Sequence, residues 1–205
     1  MKANAKVLRE NALAIANYVL FDGFSWEEAR KRVRAEAGRD AMPDSQSIES
    51  AIRENASLFM KEEHTALLLE KREAALRALE LLEEFDAYLC GAVLNGAATE
   101  ESSIRIEIFT DDAKAVHFAL LDKGIAVEVI DDEVTPVPNL EVSLGFLLYL
   151  SDKREAEAVR LEIFPPSSLR CNPRKTSPDS WQDIWEASGR IKACDLKKFL
   201  PTETL

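Results

Sequence analysis

The residues best able to do chemistry lie in one stretch. It runs Gly91, Ala92, Val93, Leu94, Asn95, Gly96, and then Ser102, Ser103, Ile104, Arg105, Ile106, Glu107. Glycines at such spacing let a backbone turn sharply and come close to a ligand. Their N–H groups can then cradle a phosphate. Alternation along a strand would put Ser103, Arg105 and Glu107 on one face. A guanidinium at Arg105 offers a planar fork of donors that suits phosphate oxygens. Glu107 and the more distant Glu162 are the carboxylates that could hold a metal if the strands bring them together.

The spacing resembles the signature of polymerase-beta-type nucleotidyltransferases. Those proteins carry a Gly-Ser pair, a second glycine, and then Ser-Asp-x-Asp on a strand. Gly91 and Gly96 stand where the two glycines belong, and Ser102 where the family serine belongs. Ala92 replaces the serine after the first glycine. Ser103 and Arg105 replace the two metal-binding aspartates. The resemblance covers roughly residues 85–164, and the helical front half is similar to that of bacterial proteins that carry this same motif.

The departures bear on chemistry. Nucleotidyl transfer needs two metal ions about 3.5–4 Å apart to stabilise the attacking and leaving oxygens. Ser103 is a weak ligand for magnesium, because hard cations prefer charged oxygen. A fixed cation at Arg105 repels a metal. The resemblance therefore implies a fold made for nucleotide transfer with its metal site removed. Two readings of the site follow. In one, Arg105 occupies the space of a metal and holds a nucleotide or other phosphate, with Gly91, Ala92, Gly96, Ser102 and Ser103 around it. In the other, Glu107 and Glu162 form a displaced magnesium site and transfer persists.

Plainer readings stand beside these. Gly91 and Gly96 can mark nothing more than a tight turn. Arg105 and Glu107 can be an exposed ion pair of little worth. Glu162 can sit on a solvated sheet face. His64 and His117 fall in expected helices with no ligand partner at useful spacing. Cys90 reads as a small buried hydrophobe. Trp181 and Trp185, four apart on an expected helix, read as packing anchors. Arg170, Arg174 and Lys175 lie in a loop after the last expected strand. They are either a solvated linker or a basic segment that folds back onto an anion.

The elements that must position these residues change in style at Phe85. Before it, apolar residues recur at helical spacing. Asp22-Gly23 ends a first helix, and Ser25 with Glu28 forms a capping box for a second. The second ends near Gly38. Asp44-Ser45 opens a third, and a fourth runs from about Glu62 to Glu84. After Phe85 come strand-like runs at 88–94, 104–110, 125–130, 140–150 and 159–164. A helix at about 111–123 is capped by Asp111 or Asp112. A loop spans 165–178. A last helix from Asp179 carries Trp181, Ile184, Trp185 and Ile191. No internal repeat is evident.

The expectation is an α+β protein in three parts. Residues 1–84 are helical, 85–164 form a mixed sheet of the nucleotidyltransferase type on which the helical region packs, and 165–205 are a basic loop and helix. Charge follows these parts: net −3, −10 and +2, for a total of −11. Such acidity argues against a dedicated nucleic-acid binder. No apolar run approaches the roughly 20 residues that span a bilayer. Cys90, Cys171 and Cys194 are odd in number and far apart, as in a reduced, cytosolic protein. Mur-type ligases and serine hydrolases are excluded by the lack of Gly-Lys-Ser/Thr and Gly-x-Ser-x-Gly sequences.

The leading expectation is a degenerate nucleotidyltransferase fold that binds a nucleotide or phosphate without turnover and without a resident cofactor. The second is an active enzyme using magnesium on Glu107 and Glu162. The third is an interaction module similar to nucleotidyltransferase-type antitoxins, with a protein partner or a second copy of itself.

Overall fold

The computed structural model describes residues 4–130, 138–149, 156–171 and 189–201. The chain divides into two compact units. One is Met1–Leu67 with Ala97–Glu101, and the other is Leu68–Gly96 with Ser102–Leu205. Phe85, where the sequence changes character, lies inside the second.

The first unit holds α1 (Ala5–Phe21), α2 (Trp26–Ala37), α3 (Ser45–Phe59) and the start of α4 (Lys61–Leu81). Each start has a local cause. The Asn4 side chain accepts from the Lys6 backbone N–H. Ser25 and Glu28 form the full capping box of α2. Asp44 accepts from the Ser47 N–H at 2.7 Å and caps α3. α1 packs on α2 and α3. Ala12, Ile15, Ala16, Ile48, Ile52 and Ala56 are buried. Small alanines let the helices approach closely. A hydrogen bond of 2.7 Å, donated by Asn55 Nδ2 to Asn17 Oδ1, links α3 to α1 inside that contact.

The second unit is built on a six-stranded sheet. Its strands are β1 (Asp86–Cys90), β2 (Ile104–Phe109), β3 (Glu128–Ile130), β4 (Val142–Tyr149), β5 (Ala156–Phe164) and β6 (Arg190–Ile191). The spatial order is β3-β4-β5-β2-β1-β6. β2 and β5 run parallel, and every other neighbouring pair is antiparallel. This is a mixed sheet, and the molecule is α+β. One sheet face is apolar apart from Glu157 at one end of β5. Leu89, Ile106, Leu161 and Leu144 form one row across it, and Ile104, Val159 and Phe146 form the next. All are buried. The later turns of α4 bury Ala75, Leu76 and Leu79 in the same unit.

Several expected boundaries move. The run 88–94 was expected to be one strand; instead β1 ends at Cys90 and a short helix, α5 (Gly91–Asn95), follows at once. Gly91 has φ +72° and starts it, and Gly96 at φ +82° ends it in the left-handed region. Those two conformations break the strand. Ile191 sits in β6 rather than on a helix, because it pairs with Leu89 and fills the apolar face. The expected loop after β5 contains a helical turn, α7 (Ser168–Cys171), and Asp112 caps the helix α6 (Ala113–Asp122) between β2 and β3. The stretch with Trp181, Ile184 and Trp185 lies outside the described residues. Among the described residues, no helix is long and apolar enough to cross a membrane.

Candidate functional site

Alternation along β2 sends Ile104, Ile106 and Ile108 to the core and turns Arg105, Glu107 and Phe109 the other way. β5 alternates identically, with Arg160, Glu162 and Phe164 outward. The strands are parallel and in register, so Arg105 stands beside Arg160 and Glu107 beside Glu162. Cys90 of β1 lies opposite both Arg105 and Arg190 of β6. The polar face therefore carries two rows. One reads Arg190, Cys90, Arg105, Arg160, and the next reads Tyr88, Glu107, Glu162, Ser143.

Like charges directly opposite on a sheet are unfavourable. Contacts between the rows offset that. Arg105 Nε lies 3.3 Å from Glu162 Oε2, and its Nη2 lies 3.9 Å from Glu107 Oε1. Arg160 Nε lies 3.4 Å from Glu162 Oε1. Arg190 Nη2 approaches Glu107 Oε2 at 2.7 Å. Among the described residues of this face, three guanidiniums thus meet two carboxylates, a surplus of one positive charge. The Arg190 guanidinium also lies over the Phe109 ring at 4.8 Å, a cation–π contact.

Exposure separates the three arginines. The Arg190 side chain is 1% exposed, whereas that of Arg105 is 37% exposed. Arg105 is the most exposed of the three, with Arg160 next at 25%. Its partial burial acts to lower its pKa, but Cys90, Glu162 and Glu107 together raise it on balance. It stays a fixed cation. Among the described residues, Arg105 Nε and Arg190 Nε and Nη1 are buried with no hydrogen-bond acceptor.

Consecutive residues of α4 hold the frame of this face. Arg72 donates from Nε to the Val93 carbonyl and from Nη2 to the Leu94 carbonyl, both at 3.0 Å. Those carbonyls belong to α5. Burial pushes the Arg72 guanidinium down to about 10, which leaves it charged at neutral pH. Lys71 Nζ donates at 2.9 Å to the Ser102 carbonyl, just before β2, and at 2.9 Å to Glu157. The two ends of the glycine-containing connection are thereby fixed from one helix.

The expected site residues fall as follows. Gly91 lies against Arg105: a Cβ there would sit 3.8 Å from Arg105 Cβ and 4.0 Å from its Nε. Ala92 is half-buried beside it, and Gly96 is buried as the cap of α5. Ser102 contributes its carbonyl to Lys71. Ser103 is exposed and precedes β2, so it is not on the strand with Arg105 and Glu107. Glu107 and Glu162 come together, and Glu162 is buried rather than on a solvated face. Arg170 is exposed in α7, while Arg174 and Lys175 lie outside the described residues. His64 is buried, with Nε2 2.9 Å from the Ala98 carbonyl oxygen. Cys90 is buried, and its thiol donates to the Arg105 carbonyl at 3.5 Å.

Sequence reasoning missed Arg160, Arg190, Lys71 and Arg72. For Arg160 a signal existed. Residues 104–109 read Ile-Arg-Ile-Glu-Ile-Phe, and residues 159–164 read Val-Arg-Leu-Glu-Ile-Phe. The two copies of this short internal repeat are the two strands that pair in register. No protein-family model matches the chain, and no curated protein matches it.

Proposed function

We propose that this protein is a binding module for a phosphate-bearing ligand, a nucleotide or a simpler phosphate, held by Arg105 without metal and without turnover. One observation carries the reading: buried guanidinium nitrogens of Arg105 and Arg190 make no hydrogen bond among the described residues. These are Arg105 Nε, in ion-pair contact with Glu162 at 3.3 Å, and two nitrogens of Arg190. A buried donor left unmade costs about 1–3 kcal/mol. An oxyanion beside the half-exposed Arg105 supplies acceptors and cancels the surplus charge. Gly91 presents bare backbone at the same place.

Magnesium suits this face less well. Glu107 and Glu162 lie side by side, but each already meets a guanidinium within 3.3 Å. A divalent cation would have to enter between like charges. The enzyme reading with magnesium on these two carboxylates therefore requires the arginines to move away.

The test is a thermal-shift panel of nucleoside triphosphates and inorganic phosphate, with magnesium and with chelator, on wild type and Arg105→Ala. A ligand bound only to the folded state stabilises it by about 2.7 kcal/mol at a hundred times its Kd. Stabilisation that survives chelator and needs Arg105 is the expected result. Stabilisation only with magnesium would favour the enzyme, and no shift would point to a fold kept for protein contacts.

A further inference from the structure

The helical unit carries a separate cavity of about 180 Å³. Leu20, Met60 and Leu67 give it apolar walls, and Glu63, Glu100 and Glu101 lie along it. A dry cavity of about 150 Å³ accepts a benzene ring, so this one has room for a single large apolar side chain. Glu63, Glu100 and Glu101 are exposed, and among the described residues none makes an ion pair. Elsewhere in this unit Glu54 and Glu36 each meet an arginine. The apolar surface also continues beyond the cavity. Phe21 follows Leu20, Phe59 precedes Met60, and both are exposed along with Leu58. The two phenylalanine rings meet edge to face at 6.1 Å. An apolar patch with a polar rim marks an interaction site more often than a bare surface.

We infer that this cavity docks a short basic, apolar peptide segment of a partner protein. One aromatic or large aliphatic side chain of the partner fills the cavity. Lysine or arginine beside that anchor faces Glu63, Glu100 and Glu101, and further apolar residues lie along Phe21, Leu58 and Phe59. Charge complementarity selects this occupant. Three exposed carboxylates beside an apolar hole, without an ion pair among the described residues, repel an acidic segment and steer a basic one, and the net charge of −11 adds to the steering. The extent of the patch favours a peptide over a small amine. The inference does not depend on the phosphate reading, since all its residues belong to the other unit.

The experiment is selection from a random-sequence peptide display library on the full chain. The strongest peptide is then measured by fluorescence polarisation. Selected sequences should share one Phe, Leu or Met beside lysine or arginine. Binding should weaken about tenfold in the triple variant Glu63→Gln/Glu100→Gln/Glu101→Gln, which removes the charge attraction. It should also weaken in Leu67→Trp, which fills the cavity, and stay unchanged in Arg105→Ala. The triple variant alters exposed side chains only, so it remains a valid comparison if Leu67→Trp fails to fold. No enrichment, enrichment of peptides without basic residues, or equal binding to the triple variant would overturn the proposal. So would sedimentation showing a dimer that Phe59→Ser dissociates, because a second copy would then be the occupant.

Discussion

Glu107 and Glu162 are register partners across the parallel β2–β5 pair, and both are buried. Two carboxylates side by side away from water disfavour each other's charge. Cations at close range keep the arrangement tenable: Arg190 on Glu107, Arg160 on Glu162, and Arg105 reaching both. The two carboxylates and three guanidiniums together form an arginine-bridged cluster.

Removing Arg190 should be the most damaging change on this face. Its guanidinium is buried, and its loss removes the 2.7 Å charged partner of the buried Glu107 Oε2. Breaking one side of a buried pair costs about 3–5 kcal/mol. Urea denaturation of Arg190→Leu should show a loss of that size. The double variant Arg190→Leu/Glu107→Leu should recover most of it, because no buried charge is then stranded. A single variant within about 0.5 kcal/mol of wild type, the usual range for surface changes, would contradict the account.

Gly91→Ala tests the turn beneath Arg105. Gly91 has φ +72°, where a side chain costs about 1–2 kcal/mol. The added methyl would meet Arg105 at ordinary contact distances of 3.8–4.0 Å. Stability should fall by about that strain, read from the urea midpoint. The thermal shift given by phosphate ligands should shrink as well, because the bare backbone beside the guanidinium is lost. An unchanged ligand shift would remove Gly91 from the site.

Alkali should remove the stability that Tyr88 and Lys192 contribute. Burial, and next the Asp86 carboxylate, raise the Tyr88 phenol above its usual range. The hydrogen bond to Asp86 raises Lys192, whose Nζ lies 2.7 Å from that carboxylate. A raised folded-state pKa means that the folded form holds its proton more tightly. The stability this contributes is complete below the unfolded value, about 10 for both groups, and is lost as pH rises through the folded value. The lowered pKa of Arg72, about 10, acts in the opposite sense, so the contribution of Tyr88 should be read as a difference: above about pH 10 wild type should lose stability relative to Tyr88→Phe.

At the other end of the pH scale, Asp44 should matter. The Ser47 backbone N–H holds its carboxyl below the usual range. A lowered folded-state pKa contributes stability above the unfolded value, about 3.9, and that contribution disappears as pH falls through the folded value. Asp44→Ala should cost about 1 kcal/mol at neutral pH through loss of the cap. Asp44→Asn should keep the cap and flatten the acid dependence, which separates the two effects in a pH series of melts.

Much of this was legible in the residues because the causes are local. A capping box needs only Ser25 and Glu28, and an N-cap needs only Asp44 and the next turn. The helices 5–21, 26–37 and 45–59 follow from such signals and from the spacing of Ile15, Ile48 and Ile52. Strand alternation at 104–109 likewise named the outward pair Arg105 and Glu107. The short helix after Cys90 was less legible, because Val93 and Leu94 suit a strand as well. The positive φ at Gly91 ends the strand, and the left-handed conformation at Gly96 ends the helix.

The sequence by itself determined the periodicities, the caps and the face on which each charge stands, since these depend on neighbours within a few residues. Tertiary structure alone decided that two distant Arg-x-Glu runs pair in parallel and in register. It also decided that Arg190 closes over Glu107 from a two-residue strand, and that Lys71 and Arg72 pin both ends of the glycine connection. Those contacts join residues 21 to 86 positions apart. No local preference encodes them. They exist because one apolar sheet face must be buried, and burying it fixes the register of everything on the other side.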